Sequence, residues 1–176
     1  MTVIRPAEPL CLVVMGVSGV GKTTTAEGLA TRLGWTLAEA DQFHPQANID
    51  KMSAGTPLND EDRGPWLATL RDWVSAQADA GECTVVTCSA LKRRYRDLLR
   101  GARCQLRFVH LMADAENIAE RLEQRRGHFM PGSLLGSQFA DLEPLADDES
   151  GVSVCVDLPP DALVERALQT LGLATR

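Results

Sequence analysis

Residues 16–23 read Gly-Val-Ser-Gly-Val-Gly-Lys-Thr, the complete glycine-rich pattern G-x-x-x-x-G-K-[ST]. An apolar run, residues 10–15, precedes this loop, and a stretch with helical character, residues 24–33, follows it. A loop in this context exposes backbone N–H groups at a helix N-terminus, where the helix dipole favours an anion. Lys22 adds a cation, and the Thr23 hydroxyl is a ligand for Mg²⁺. The sequence therefore predicts a nucleoside triphosphate site formed by Gly16, Val17, Ser18, Gly19, Val20, Gly21, Lys22, Thr23 and Thr24.

A phosphate-binding loop alone does not separate a kinase from a GTPase switch or a mechanical ATPase. The guanine-reading string Asn-Lys-x-Asp does not occur, and the one D-x-x-G string, 148–151, lies far downstream and is interpreted as a chance match. A mechanical ATPase usually has an apolar strand that ends in adjacent carboxylates, whereas the apolar run 83–88 is followed by Ser89. These features and the small size of the chain favour a compact phosphotransferase.

Two acidic residues, Glu39 and Asp41, stand at the end of another strand-like run, 36–39. A phosphotransferase must orient an acceptor hydroxyl, and a carboxylate can accept the proton of that hydroxyl. Asp41 is the candidate for this catalytic role, and Glu39 is a candidate for reaching Mg²⁺ through a water molecule. The alternatives are a helix or turn cap for Asp41 and a solvated strand-end charge for Glu39.

A basic segment, residues 125–132, contains two glycines and a proline, so it is a candidate lid that closes over ATP. Its cations would meet the charge that develops on the transferred phosphoryl group, with Arg126 as the catalytic candidate. Arg121 lies four residues before Arg125, so the two share one face of a helix. The alternative is a solvated helix end, where cations complement the dipole.

A second basic group follows Ser89 and consists of Lys92, Arg93, Arg94 and Arg96. Four cations at the mouth of one sheet edge favour an anionic ligand. The alternative is an ordinary solvated helix face, so we do not expect all four to contact a ligand.

The composition is that of a soluble globular protein of one domain, residues 1–176, with 44% hydrophobic and 24% charged residues. The net charge of −6 argues against non-specific binding to nucleic acid or to an anionic membrane. No apolar run approaches the roughly 20 residues of a membrane span, and no signal peptide is recognisable. The five cysteines lack C-x-x-C spacing, and four of them lie in or beside apolar, strand-like runs, which is typical of reduced core residues in a cytoplasmic protein.

Strand-like runs alternate with helical patterns along the whole chain. This alternation predicts an α/β fold, in which helices cover both faces of a parallel sheet. Trp66 and Trp73 fall at helical spacing and are expected in the core. The polar loops 41–66 and 125–132 are expected at the carboxyl ends of the strands, where such folds place their chemistry. The predicted strands are 10–15, 36–39, 83–88, 105–112 and 152–156.

The chain resembles the small gluconokinase family, which belongs with the shikimate-kinase-like and adenylate-kinase-like kinases. The resemblance spans about residues 10–172 and rests on several long strings in the right order. These strings are Met15-Gly-Val-Ser-Gly-Val-Gly-Lys22, Asp41-Gln-Phe-His-Pro45, 48–55, 57–63, Pro65-Trp66, Cys88-Ser-Ala-Leu-Lys92, 95–99 and Arg125-Arg-Gly-His-Phe129.

The resemblance implies ATP- and Mg²⁺-dependent conversion of D-gluconate into 6-phosphogluconate. It also implies a five-stranded sheet ordered 2-3-1-4-5, an acceptor-binding segment near 41–66 and a mobile lid near 125–135. Arg121 and Arg125 match a pattern that packs against adenine and contacts phosphate. Relatives are often dimeric, which favours a homodimer without identifying its surface. The candidate substrate-binding residues are Asp41, His44, Arg63, Lys92, Arg96 and His128.

One departure from the family pattern is Glu39-Ala40-Asp41, where relatives usually have Asp-Gly-Asp. The first carboxylate is one methylene longer here, which weakens its assignment as a water-mediated Mg²⁺ partner. The other hypotheses are a kinase for shikimate, a nucleoside monophosphate or another sugar acid or polyol, and a nucleotide-binding regulatory module without turnover. The Ser89-Ala90-Leu91 string disfavours shikimate, and a string resembling Asp-Gly-Phe-Pro-Arg, expected for a nucleotide acceptor, is absent.

Overall fold

The computed structural model of the protein describes residues 3–124 and 132–174. Five strands form one parallel sheet in the order β2-β3-β1-β4-β5, which confirms the predicted topology. The strands are β1 (Leu10–Met15), β2 (Thr36–Glu39), β3 (Thr84–Thr87), β4 (Gln105–Met112) and β5 (Gly151–Cys155).

β1 is the central strand, and all six of its residues are buried. It pairs with β3 on one side and β4 on the other, so its continuous apolar run is what a strand covered on both faces requires. Its side chains alternate between two hydrophobic clusters. Leu12 faces one cluster and Val13 faces the other.

Helices supply the other side of each cluster. The cluster that contains Leu12 is completed by residues of α1 and α7, and the cluster that contains Val13 by residues of α3 and α4. Among the described residues, no helix combines the length and the apolar character needed to cross a bilayer. The helices are α1 (Lys22–Leu33), α2 (Gln46–Ser53), α3 (Asp60–Asp79), α4 (Arg93–Leu99), α5 (Ala115–Gln124), α6 (Gly132–Asp141) and α7 (Pro160–Leu171), and a 3-10 turn covers Ala40–Phe43.

The cysteines are all free thiols. Cys11, Cys83 and Cys88 are buried as predicted, and Cys104 is half-buried. The expectation of a core position is wrong for Cys155, which is exposed, because β5 is the edge strand and its last side chain faces solvent.

Parallel strands bring their carboxyl ends to one edge of the sheet, and there β1 leads into the phosphate loop. At this edge the N–H of Gly16 donates to the carbonyl oxygen of Ser89 at 3.3 Å, which joins the end of β1 to the segment that follows β3. Its φ is +146°, and a Cβ at this position would lie 2.9 Å from the carbonyl oxygen of Leu111. Only glycine therefore allows β1 to turn so closely against β4.

Candidate active site

A cavity of about 390 Å³ lies at the carboxyl ends of β1, β2 and β3. One wall consists of loop residues predicted from the motif: Ser18, Gly19, Gly21, Lys22, Thr23 and Thr24. The opposite wall includes Glu39, Asp41, Thr87 and Ser89. The structure thus brings the two predicted carboxylates to the same cavity as the phosphate loop. We call this space the phosphate cavity.

A second cavity of about 270 Å³ adjoins the first and extends over α2 and α3. Ser18, Asp41 and Ser89 line both cavities. The second cavity is also lined by His44 and Arg63, two of the predicted substrate-binding residues. We call it the acceptor cavity, and Asp41 stands at the junction between the two.

Lys22 is folded back onto its own loop. Its Nζ donates to the carbonyl oxygens of Gly16 and Val17 at 3.0 and 3.1 Å. Burial lowers the pKa of Lys22 to about 8, against the opposing effects of Cys88, Asp41 and Glu39. The cation is therefore held inside the cavity at a cost in hydration, which an incoming polyphosphate would offset.

Asp41 presents its carboxylate to the cleft, with 91% of the side chain exposed. Its Oδ1 lies 3.6 Å from Nε2 of His44. The neighbouring His44 imidazole is the main reason that the pKa of Asp41 lies below its usual range, and Lys22 adds to the effect. Asp41 is thus ionised and accessible near neutral pH, as a proton acceptor must be.

Glu39 is held against the neighbouring strand. β2 and β3 pair Glu39 with Thr87 in register, and the Thr87 hydroxyl donates to the Glu39 carboxylate. The backbone N–H of Glu39 donates to Oε1 of Gln42 at 3.4 Å. This side chain therefore faces the phosphate cavity with one carboxylate oxygen occupied by Thr87, and its role toward Mg²⁺ remains a prediction.

Arg63 is oriented by a residue that the sequence reasoning did not assign to the site, Tyr95. Arg63 Nη1 donates to the Tyr95 hydroxyl at 2.9 Å, and that hydroxyl donates in turn to Asp60. Lys92 Nζ lies 3.5 Å from Asp60, and Arg94 pairs with the same carboxylate. Three cations thus surround one carboxylate and one phenol. The positive charge of this group exceeds the negative charge of Asp60, which suits a site for an anion.

Arg96 differs from the prediction. Its side chain is only 1% exposed, and it donates to both oxygens of Glu149, at 2.8 and 2.9 Å. Its Nη1 also donates to the carbonyl oxygens of Ala90 and Leu91. Since its donors are used inside the protein, we replace the expectation that Arg96 contacts the acceptor with a supporting role beneath the 90–91 backbone.

Arg93 also turns away from the cleft, toward Asp148, to which it donates two hydrogen bonds at 2.8 and 2.6 Å. The string 148–151, which matched D-x-x-G by chance, therefore has a structural role. Asp148 and Glu149 anchor the N-terminal end of α4 and its buried arginine. Sequence alone could not identify these partners, because more than 50 residues separate them from Arg93 and Arg96.

The predicted lid falls mainly outside the described residues. Arg125, Arg126 and His128 belong to the stretch 125–131, so their roles stay predictions. The backbone of Arg121 lies in α5, and its side chain is likewise outside the description. The last part of the predicted lid, 132–135, forms the first turn of α6.

α6 contacts the phosphate loop through Gln138, another residue that the motifs did not single out. The Ser18 N–H donates to Oε1 of Gln138 at 2.7 Å, and Nε2 of Gln138 donates to the Ser18 hydroxyl at 3.2 Å. The amide thus ties α6, whose first turn is the end of the candidate lid, to Ser18, which lines both cavities.

Comparison with known proteins agrees with this geometry. A family model described as an AAA domain matches residues 11–145, which include the phosphate loop and four of the five strands. The gluconokinase of Gluconobacter oxydans is 53% identical over 162 residues, which cover 92% of this chain and 91% of that protein.

Two solved structures are also similar along almost their whole length. A sugar kinase from Janibacter sp. HTCC2649 is 52% identical with a TM-score of 0.88, and the alignment covers 96% of this chain and 99% of that one. A gluconokinase from Sinorhizobium meliloti 1021 is 44% identical with a TM-score of 0.85, and the coverage is 96% and 94%. From the sheet order, the two joined cavities and these similarities, we conclude that the chain belongs to the gluconokinase family.

Proposed function

We propose that this protein transfers the γ-phosphoryl group of ATP to D-gluconate and releases 6-phospho-D-gluconate and ADP. The observation that carries the proposal is the position of Asp41, an exposed carboxylate at the junction of the phosphate cavity and the acceptor cavity. A hydroxyl bound in the acceptor cavity would face both the carboxylate and the end of the triphosphate. That arrangement is what in-line phosphoryl transfer requires.

Each cavity would bind one substrate. The N–H groups of the loop 16–23 and the ammonium of Lys22 would hold the β- and γ-phosphates. Arg63, fixed by Tyr95, would pair with the carboxylate of gluconate, with Lys92 nearby to add charge. Asp41 would then accept the proton of the attacking hydroxyl as the bond to phosphorus forms.

The oxygen ligands at the phosphate cavity fit Mg²⁺. Thr23 and Glu39 both line it, and Mg²⁺ prefers oxygen ligands together with substrate phosphates and water rather than an all-protein cage. Consistently, the described residues contain no cluster of three or more His, Cys, Asp or Glu side chains that could hold a metal by themselves. When bound, Mg²⁺ would neutralise charge on the β- and γ-phosphates.

The lid residues and the cellular setting complete the proposal. Arg126 would stabilise charge on the transferred group, Arg121 and Arg125 would contact the nucleotide, and His128 would contact the acceptor. A cytoplasmic location is supported by the five free thiols, three of them buried. A homodimer is favoured by the family resemblance alone.

The test is acceptor-dependent release of ADP from the purified protein with Mg-ATP. We expect D-gluconate to stimulate release strongly, and shikimate, AMP, glycerate and buffer alone to leave it at the basal rate. Stimulation by another acid instead of gluconate would keep the phosphate chemistry and overturn the substrate. ATP binding without stimulation by any acceptor would favour the regulatory module.

A further inference from the structure

The environment of His44 points to a role that differs from contact with the substrate. Its ring stacks on the indole of Trp66, with centroids 4.1 Å apart and an interplanar angle of 20°. Trp66 is itself fixed, because its Nε1–H donates to the carbonyl oxygen of Ala40 at 2.7 Å. The His44 side chain is only 4% exposed. The imidazole therefore has one orientation, set by the packing of the 3-10 turn against α3.

The first nitrogen of the ring, Nδ1, faces a donor. Nδ2 of Asn48, a buried residue of α2, lies 3.3 Å from Nδ1 and 2.9 Å from the backbone carbonyl oxygen of Asp62. A carbonyl oxygen can only accept, so the Asp62 contact fixes which end of the Asn48 amide is the NH₂ group. The second N–H of that group is then directed at Nδ1, which must act as an acceptor.

The second nitrogen, Nε2, therefore carries the proton of the neutral ring. It lies 3.6 Å from Oδ1 of Asp41, which is beyond the length of an ordinary hydrogen bond but within reach of a small shift of the exposed carboxylate. Contacts of this kind are often long before substrate binds and shorten in the reactive complex. Nδ1 is thus engaged by Asn48, and Nε2 lies within ion-pair range of the Asp41 carboxylate.

We propose that His44 is a positioning residue whose tautomer is set by Asn48 and whose Nε2–H holds the Asp41 carboxylate toward the acceptor. The chain of contacts runs from the Asp62 carbonyl through Asn48 and His44 to Asp41. It links the N-terminal turn of α3, which also carries Arg63 of the acceptor cavity, to the group that accepts the proton. His44 keeps its own proton throughout, and Asp41 alone takes the proton of the hydroxyl.

This inference rests on the proposed function, because it requires Asp41 to act on the acceptor. Two measurements distinguish the proposal about His44 from the proposed function: the tautomer of the ring and the kinetics of substituted proteins. The tautomer of His44 can be measured by long-range ¹H–¹⁵N NMR in the protein without substrate, where catalysis is not involved. The chain has only three histidines, so the His44 signals are assigned by comparison with the His44→Gln spectrum. We expect the Nε2–H tautomer in the wild type and its loss in Asn48→Asp, where a carboxylate would draw the proton to Nδ1.

The kinetic test compares three substitutions of His44. Gln places an amide N–H near the position of Nε2, whereas Asn places its polar atoms near Nδ1. We expect His44→Ala and His44→Asn to lower kcat by about 10- to 100-fold with little change in KM for ATP, since a misplaced catalytic group costs about that much. We expect His44→Gln to recover most of the loss.

Three outcomes would overturn the inference. One is a wild-type His44 with its proton on Nδ1. Another is a His44→Ala variant that raises KM for gluconate while kcat is unchanged, which would make His44 a substrate ligand. The third is equal impairment by Gln and Asn. Normal turnover of Asp41→Asn would also overturn it, because Asp41 would then not act on the acceptor, whereas absence of gluconate-stimulated ADP release in the wild type would overturn the proposed function, whatever the tautomer of His44.

Discussion

The phosphate cavity and the acceptor cavity differ in how far apart their lining residues lie in the sequence. The first takes half of its lining residues from the single stretch 18–24, whose backbone N–H groups would bind phosphate, and the rest from the ends of β2 and β3. The second combines side chains from the 3-10 turn, α2, α3 and α6, and these elements are held by hydrogen bonds such as Asn48 of α2 to the Asp62 carbonyl of α3 and Arg63 of α3 to Tyr95 of α4. The comparison suggests that a backbone site can be specified locally, whereas a site for a particular acceptor depends on long-range side-chain networks.

If the comparison is right, a change in the phosphate cavity should impair every activity that uses ATP. Lys22→Ala removes a cation aimed at the phosphates, and we expect kcat/KM to fall by about 10²- to 10³-fold or more, with weaker ATP binding in calorimetry. The matched control is Arg32→Ala on the same helix, α1, where Arg32 pairs with Glu165 at the surface. Turnover near the wild-type rate in Lys22→Ala would refute the assignment of the phosphate loop.

A substitution in the buried pair of Arg96 and Glu149, beneath the acceptor cavity, should lower the stability of the protein. Burial alone would raise the pKa of Glu149, but hydrogen bonds from Arg96, the Ala146 N–H and Arg100 outweigh it and lower that pKa to about 2. Because Glu149→Gln leaves the buried Arg96 without its counter-charge, we expect the free energy of unfolding to drop by about 3–5 kcal/mol.

The pH dependence of this loss can be predicted from the same pKa. The folded pKa lies below the reference value of 4.5, so the stabilisation is complete above about pH 4.5 and disappears as the pH falls towards 2. Urea denaturation at pH 7 and at pH 3 should therefore show a smaller difference between wild type and Glu149→Gln at the lower pH. A difference that does not shrink would show that the ion pair is not its source.

A change inside the acceptor cavity should affect gluconate and spare ATP. Arg63→Ala removes one charge-assisted contact, worth about 1.5–3 kcal/mol, so KM for gluconate should rise by about 10- to 100-fold. Arg71→Ala is the control, because Arg71 lies about two turns further along α3 and pairs only with Asp72 among the recorded ion pairs of the described residues. A rise in KM for ATP equal to that for gluconate would abolish the distinction between the two cavities.

The smallest expected effect is a pH dependence of the affinity for ATP. Burial gives Lys22 a pKa of about 8, so the free protein loses this cation as the pH rises through 8, and a bound polyphosphate should restore it. We expect Kd for ATP to rise by up to tenfold per pH unit above 8. Calorimetry in two buffers of different ionisation enthalpy should show proton uptake on binding at pH 9. Absence of uptake would mean that Lys22 is already charged there.

The features that the sequence predicted also divide into local ones and those that depend on distant side chains. The phosphate loop and the position of Asp41 next to it were predicted because a glycine pattern and a strand end are local features, whereas the sheet order was predicted only from the resemblance to the gluconokinase family. Arg96 was misjudged, since its partner Glu149 is 53 residues away. Asn48 and Tyr95 begin two strings of the family resemblance, but they and Gln138 were missed as site residues because a sequence string does not show the hydrogen bonds through which they act.

The central claim is that Asp41 belongs to both cavities and acts on the acceptor without binding ATP. The most direct measurement is single-turnover phosphoryl transfer by Asp41→Asn at saturating Mg-ATP and gluconate, together with its calorimetric Kd for ATP. We expect the Kd to stay within about twofold of wild type while transfer slows by about 10²- to 10⁴-fold. Transfer at the wild-type rate, or a loss explained by weaker ATP binding or by unfolding, would contradict the account.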